Sequence, residues 1–201
     1  MKWITITSPS FFDGEACFLH RLFDAGIDTL HLRKPTSSLE DCRRLLDKLS
    51  QDELSKTIIH DFFELTFDYP LKGIHLNSRN NIITVDYHGY VSRSCHSLKE
   101  VVQYKPYCGY MFLSPIFDSI SKQGYLSTFS ETTLDDAASQ GIIDDKVIAL
   151  GGVDIEKLPL LRRWHFGGAA MLGCILNIAS LPVAQQQHKL REIYNAFHNN
   201  F

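Results

Sequence analysis

The feature that most constrains this chain is a repeated change of period. Short β-branched or aromatic runs alternate with helix-like stretches from one end to the other. Eight runs read as strands: Trp3 to Thr7, Thr29 to Arg33, Thr57 to His60, Gly73 to Leu76, Tyr90 to Ser94, Tyr110 to Ser114, Val147 to Leu150 and Ala169 to Leu172. Between them lie helical patterns at Gly14 to Ala25, Ser38 to Leu49, Leu98 to Gln103, Leu134 to Ser139, Ile155 to Trp164 and Gln187 to Phe197, with Ser37 and Ser38 as capping candidates. Strict alternation demands parallel strands, because only a crossover returns the chain in the same direction. Eight such units close a (β/α)8 TIM barrel, here a short one, since 201 residues compare with ~250 in typical cases. An open doubly wound sheet is the structural alternative. No linker, repeat or second hydrophobic unit interrupts residues 1–201, so one domain is expected.

A barrel gathers its chemistry at the carboxyl ends of its strands. Strand two leaves through His31, Arg33 and Lys34, strand three through His60 and Asp61, and strand four through His75, Asn77, Arg79 and Asn80. Strand five leaves through Arg93, Ser94 and His96, strand six through Ser119, Ser121 and Lys122, strand seven through Gly151 and Gly152, and strand eight through Gly173 and Cys174. The net charge is −3, yet Arg33, Lys34, Arg79, Arg93 and Lys122 all map to one mouth, which points to an anionic ligand. Alternation of side chains prevents Arg33 and Lys34 from both facing the axis, and the planar fork of Arg33 suits phosphate. Glycines at the last two exits let backbone N–H groups approach a phosphate, although a G-G pair serves a tight turn equally. The loop S-P-I-F-D-S-I-S-K-Q-G from Ser114 offers hydroxyls and a lysine across the same mouth, so two anionic groups are expected to bind together. Asp61, with phosphate oxygens and water, is able to hold Mg2+. It is equally placed to cap F-F-E-L-T-F. The histidines His31, His60, His75 and His96 raise a rival, a metal hydrolase with imidazole ligands, but H-x-H spacing and further carboxylates are missing.

Taken in order, the segments H-L-R-K-P at His31, I-I-H-D at Ile58, G-I-H-L-N-S-R-N at Gly73, S-R-S-C-H-S-L-K-E at Ser92, S-P-I-F-D-S-I-S-K at Ser114, V-I-A-L-G-G-V at Val147 and G-A-A-M-L-G-C-I at Gly168 resemble the thiamine-phosphate synthase family, which includes thiazole tautomerases. The resemblance implies a (β/α)8 barrel that couples an aminopyrimidine-methyl diphosphate to a thiazole phosphate and releases pyrophosphate. It implies Mg2+ and cationic groups on the departing diphosphate, and capture of a pyrimidine-methyl cation by the thiazole nitrogen. By position, Arg33, Ser119, Ser121 and Lys122 would meet the pyrophosphate, Ser94 would lie near the leaving group, and Asp61 with Asn80 would hold the metal. Gly151, Gly152, Gly173 and Cys174 would offer backbone to the thiazole phosphate, and His31, His60 and His75 would line the substrate. The chain departs from the family pattern at Pro35, His60 and Asn80, where a lysine, an asparagine and an acidic residue are usual. Those departures favour a sister activity, proton transfer on the thiazole phosphate with His96 as acid and base, or a silent phosphate-ligand sensor. The retained S-x-S-K favours the synthase.

Composition sets the outer limits. With 44% apolar and 21% charged residues the chain is that of a globular protein, and its charge carries no footprint for nucleic acid. Five scattered cysteines without C-x-x-C pairing read as small buried hydrophobes of a reducing cytoplasm. The uncharged run Gly167 to Ala184 is broken by glycine, Asn177 and Pro182, so no membrane span is expected. Phosphorylated small molecules are the expected partners, and a homo-oligomer is compatible with all of this.

Overall fold

A computed structural model describes residues 1–83, 86–118 and 129–198. Eight parallel strands close into a barrel in sequence order: β1 (Lys2–Ile6), β2 (Thr29–Leu32), β3 (Thr57–Ile59), β4 (Gly73–Leu76), β5 (Tyr90–Cys95), β6 (Tyr110–Leu113), β7 (Val147–Leu150) and β8 (Gly168–Met171). Closure is made by β1 against β8, where Lys2 pairs with Gly168 and Thr5 with Met171. The fold is the (β/α)8 TIM barrel that the alternation requires. Helices α1 (Glu15–Asp24), α2 (Leu39–Leu46), α3 (Gln51–Ser55), α4 (Leu98–Tyr104), α5 (Glu131–Ser139), α6 (Leu158–Arg163), α7 (Gly173–Ala179) and α8 (Val183–His198) surround it. Strand ends fall within a residue of the expected ones. The helices differ more: α5 starts earlier, at Glu131, α8 starts at Val183, Ile155–Lys157 is a 3-10 turn ahead of α6, and α3 is additional.

The economy of length has a visible source. The β3-to-β4 crossover is only a 3-10 turn at Phe63–Phe67, and no helix is assigned among the described residues between β4 and β5. The starts of α2, α3, α4 and α5 are fixed by serine hydroxyls. Ser38 accepts the Asp41 amide and Asp41 answers in a capping box, and Ser50 and Glu53 repeat the device at α3. Such caps contribute about 1 kcal/mol each.

Strand alternation divides the core in two. Outward residues such as Trp3, Leu30, Leu32, Ile74, Met111, Leu113 and Val147 pack beneath the helices. Trp3 is fully buried and stacks on Phe197 of α8 at 5.9 Å, which docks the last helix on β1. Inward residues Ile4, Ile6, Ile148 and Ala170 make β1, β7 and β8 aliphatic. On β2, β4 and β5 the inward positions are instead His31, His75 and Ser92, all fully buried.

Cys42, Cys95 and Cys108 are buried as expected; Cys174 is half-buried, whereas Cys17 is exposed on α1. Among the described residues no helix is long and apolar enough to cross a membrane. The segment Gly167 to Ala184 is β8 followed by α7.

Candidate active site

The exit of β2 is pinned to β1 by Thr7. The Arg33 amide donates to Thr7 Oγ1 at 3.0 Å, and the Thr7 hydroxyl donates to the Arg33 carbonyl at 3.3 Å. This presents a half-buried Arg33 guanidinium beside Arg79 and Asp61. Burial lowers the Arg33 pKa, as does the neighbouring Arg79 charge, while Asp61 opposes both. Lys34 goes elsewhere. Its ammonium is fully buried between Glu15 Oε1 at 2.6 Å, Glu15 Oε2 at 2.8 Å and the Ser10 carbonyl at 3.1 Å. Lys34 therefore does not join the mouth, because the opposite face of the strand end is occupied by a carboxylate from α1. Arg93 turns away from the barrel axis but reaches Asn81 Oδ1, beside Asn80, at 3.3 Å. Ser92 and Ser94 face inward, so Arg93 faces outward and stacks on Tyr104 of α4, 3.8 Å from the ring centroid.

Beyond β3 and β4 the loops build a small polar cluster. Asn77 Oδ1 accepts from the Arg79 and Asn80 amides at 2.9 and 3.2 Å and folds N-S-R-N into a turn. Asn80 Nδ2 then donates to the His60 carbonyl at 2.7 Å and to Asp61 Oδ1 at 2.8 Å, and Arg79 approaches the same oxygen at 3.4 Å. Asp61 does not cap the following turn: Phe62, in a left-handed conformation, stands at that position with no side-chain cap. Asp61 Oδ2 is buried without a hydrogen-bond partner. Both amide hydrogens of Asn80 are committed, so its carbonyl oxygen is what it has left to offer. Hard oxygens such as these suit Mg2+, which keeps several waters and seldom takes a full protein cage. A cleft of about 290 Å3, lined by Phe62, Phe63, Arg79, Asn80 and Ile82, borders this cluster. A larger groove of about 530 Å3 lies on the outer layer between α1 and α8 and touches none of these residues.

Beneath the mouth, three of the four expected histidines form one buried group. His31 Nδ1 lies 2.9 Å from His60 Nε2, and His31 Nε2 meets the Tyr110 hydroxyl. His75 Nδ1 and Nε2 lie 2.8 Å from Ser92 Oγ and Ser94 Oγ. Burial holds all three rings neutral: it lowers His31 and His60 well below the usual imidazole range, and with the charges of Arg93 and Arg33 it pushes His75 down to about 3. His96 stands apart and exposed. Its Nδ1–H donates to the Ser114 carbonyl at 3.1 Å, which leaves Nε2 as a basic lone pair.

The β7 exit turns through Gly151 at φ +95° and Gly152 at φ +62°. A side chain at Gly152 would stand 2.4 Å from the Asp118 carbonyl oxygen, and one at Gly151 would stand 2.9 Å from Pro115. The glycines are thus required by the adjoining β6 loop, whose Ile116 and Phe117 amides donate to the Leu150 and Gly151 carbonyls. Gly173 opens α7. The Cys174 thiol turns toward the Val153 carbonyl, 3.8 Å away, and burial pushes its pKa up to about 11. Ser119, Ser121 and Lys122 lie outside the described residues. What sequence reading missed was the Lys34–Glu15 pairing, for which an acidic residue on an otherwise buried face of α1 is the available signal, and the union of His31 with Tyr110 across the barrel.

Comparison with known proteins agrees with this architecture. The family described as thiamine monophosphate synthase matches residues 4–175. A thiamine-phosphate synthase of Enterobacter sp. (strain 638) is 24% identical over 180 residues, covering 85% of this chain and 84% of that protein. The crystal structure of thiamine phosphate pyrophosphorylase from Bacteroides thetaiotaomicron superposes with a TM-score of 0.89 at 35% identity, with full coverage of both chains. The thiamine phosphate pyrophosphorylase of Pyrococcus furiosus shares the fold, with a TM-score of 0.75 at 13% identity over 98% of this chain and 97% of that one. A match over most of the barrel, joined to a relative of this identity along its whole length, makes this chain a member of the thiamine monophosphate synthase family.

Proposed function

We propose that this chain is a transferase, a thiamine-phosphate synthase that couples 4-amino-2-methyl-5-pyrimidinylmethyl diphosphate to a thiazole phosphate and releases pyrophosphate. The observation that carries the reading is the Arg33, Arg79 and Asp61 cluster, with a buried carboxylate oxygen that lacks a partner. Asp61 and Asn80 would hold Mg2+, which when bound supplies positive charge opposite the diphosphate oxygens. Arg33 would bind the same diphosphate through its fork, joined by Ser119, Ser121 and Lys122 from the β6 loop. These groups act where charge develops as the leaving group departs. Ser94, whose hydroxyl donates to His75 Nε2, would lie near that group. The neutral rings of His31, His60 and His75 would form the floor under the pyrimidine. Backbone amides at Gly151, Gly152, Gly173 and Cys174 would receive the thiazole phosphate. The reduced, unpaired cysteines suit a cytoplasmic enzyme.

The test is formation of thiamine phosphate by purified protein given both substrates and Mg2+, with Lys122→Ala lowering turnover. Absence of product across a range of pH and Mg2+ removes the assignment. One observation supports a second reading, thiazole tautomerase: the exposed His96 has its proton fixed on Nδ1 and its Nε2 available as a base. Tautomer conversion without metal, lost in His96→Ala, would select it. A silent sensor is left only if neither reaction occurs.

A further inference from the structure

We infer that His31, His60 and His75 form a binding site for a divalent transition-metal ion of the Zn2+ class, separate from the oxygen ligands at Asp61 and Asn80. The three side chains come from β2, from β4 and from the residue that follows β3, the strand between them, and one ring nitrogen from each lies within 4.8 Å of the others. All are buried, with residue exposures of 0%, 4% and 0%. Sequence spacing alone argues against such a site, since no two of these histidines share a short motif; barrel closure supplies the proximity that spacing lacks.

The hydrogen bonds around the rings arrange the lone pairs. Ser92 Oγ donates to the Ile74 carbonyl at 3.3 Å, so toward His75 it accepts from Nδ1–H, and His75 Nε2 carries the lone pair, which accepts the Ser94 hydroxyl at 2.8 Å until a metal ion takes its place. On His31 the far nitrogen is taken by the Tyr110 hydroxyl, which leaves Nδ1 facing His60 Nε2 at 2.9 Å, the two sharing one proton that a metal ion would displace. Metal-binding histidines are held in this way, with the second ring nitrogen tied to a polar neighbour that fixes tautomer and direction. Nitrogens bound to one tetrahedral ion at about 2.0–2.1 Å stand roughly 3.3 Å apart, so ring rotations of modest size convert the observed separations. Phe112 closes the inner side, its ring centroid 4.7 Å from that of His31 and 4.9 Å from that of His75. Ser94, half-buried on His75 Nε2, stands on the mouth side, where a fourth ligand would enter. A set made only of imidazoles selects Zn2+, Co2+ or Ni2+ over Mg2+ and Ca2+, which prefer oxygen.

The inference does not depend on the transferase reading, and its test needs no substrate. Full-length protein, stripped with chelator, is titrated with ZnCl2 by calorimetry and with CoCl2 by visible absorption. One equivalent of high-affinity Zn2+, undisturbed by millimolar Mg2+ and weakened at least ~100-fold in folded His75→Gln or His60→Asn, is the expected result. Zinc-edge absorption spectroscopy of the wild-type complex provides a reading that survives misfolding of either variant: a shell of three imidazole nitrogens is expected. Absence of a high-affinity site, equal affinity in the variants, or a shell of oxygen or sulfur would overturn the inference.

Discussion

Replacing Glu15 by glutamine should cost this protein about 3 kcal/mol, because it strands a charge in the interior. Lys34 has no side-chain exposure, and Glu15 has 3%. Both carboxylate oxygens lie on the ammonium, at 2.6 and 2.8 Å, and the remaining contacts are the Ser10 carbonyl at 3.1 Å and the Phe11 ring at 4.3 Å. Burial pushes Glu15 up and Lys34 down, and their mutual hydrogen bonds and attraction oppose this. Removing one partner of a buried pair costs about 3–5 kcal/mol. Glutamine keeps one acceptor oxygen, which places Glu15→Gln at the low end and Glu15→Ala at the high end. For a chain of this length each kcal/mol moves the melting temperature by about 2–4 °C, so Glu15→Gln should melt roughly 6–12 °C lower. Urea denaturation at pH 7 measures the free energy directly. The joint replacement Lys34→Met with Glu15→Leu removes both charges and should return to within about 1 kcal/mol of wild type. A Glu15→Gln protein that melts within about 2 °C of wild type would refute the reasoning, as would a double variant less stable than the single one.

Other outcomes follow from the same geometry. Gly152→Ala places a methyl group 2.4 Å from the Asp118 carbonyl at φ +62°; it should lower stability by about 2 kcal/mol or more in a urea titration and raise the KM for the phosphorylated substrate proposed to bind at this turn. Trp3→Ala should cost about 3–5 kcal/mol and loosen α8, read as faster hydrogen exchange across Val183–His198. Burial raises the Glu53 pKa, but hydrogen bonds from His20 and Ser50 outweigh it and leave the carboxyl below its ordinary value. The stability it contributes is therefore present above the unfolded value near 4.5 and lost as pH falls through the folded one. Glu53→Gln should accordingly lose about 1 kcal/mol at pH 7, with the difference from wild type vanishing in acid. Arg33→Lys retains charge without the planar fork and should reduce kcat by about tenfold or more in the coupling assay.

Period alone carried the architecture. The strands at Gly73–Leu76 and Val147–Leu150 stand where their apolar runs lie, because a buried parallel strand has few other ways to satisfy its backbone. Helix ends were less legible. The Ser50–Glu53 capping box was available in the sequence, but five residues are too few for a hydrophobic period to announce α3. Arg93 was readable in principle, since placing Ser92 and Ser94 inward forces it outward. That Lys34 turns away from Arg33 followed from alternation, but its partner did not, for Glu15 lies on another element 19 positions away. The histidines illustrate the same limit: each could be assigned to the barrel interior by alternation, yet which nitrogen faces which is set by Tyr110, Ser92 and strand stagger.

The interior of this barrel is asymmetric in how it would answer redesign. Around Ile4, Ile6, Ile148 and Ala170 the filling is held by volume alone, so exchanges that conserve size should be accepted one at a time. On the opposite wall, His31, His60, His75, Ser92 and Tyr110 interlock through directional bonds, and altering any member leaves another without its complement. That wall can change only as a set, and new specificity would have to be installed there in a single concerted step.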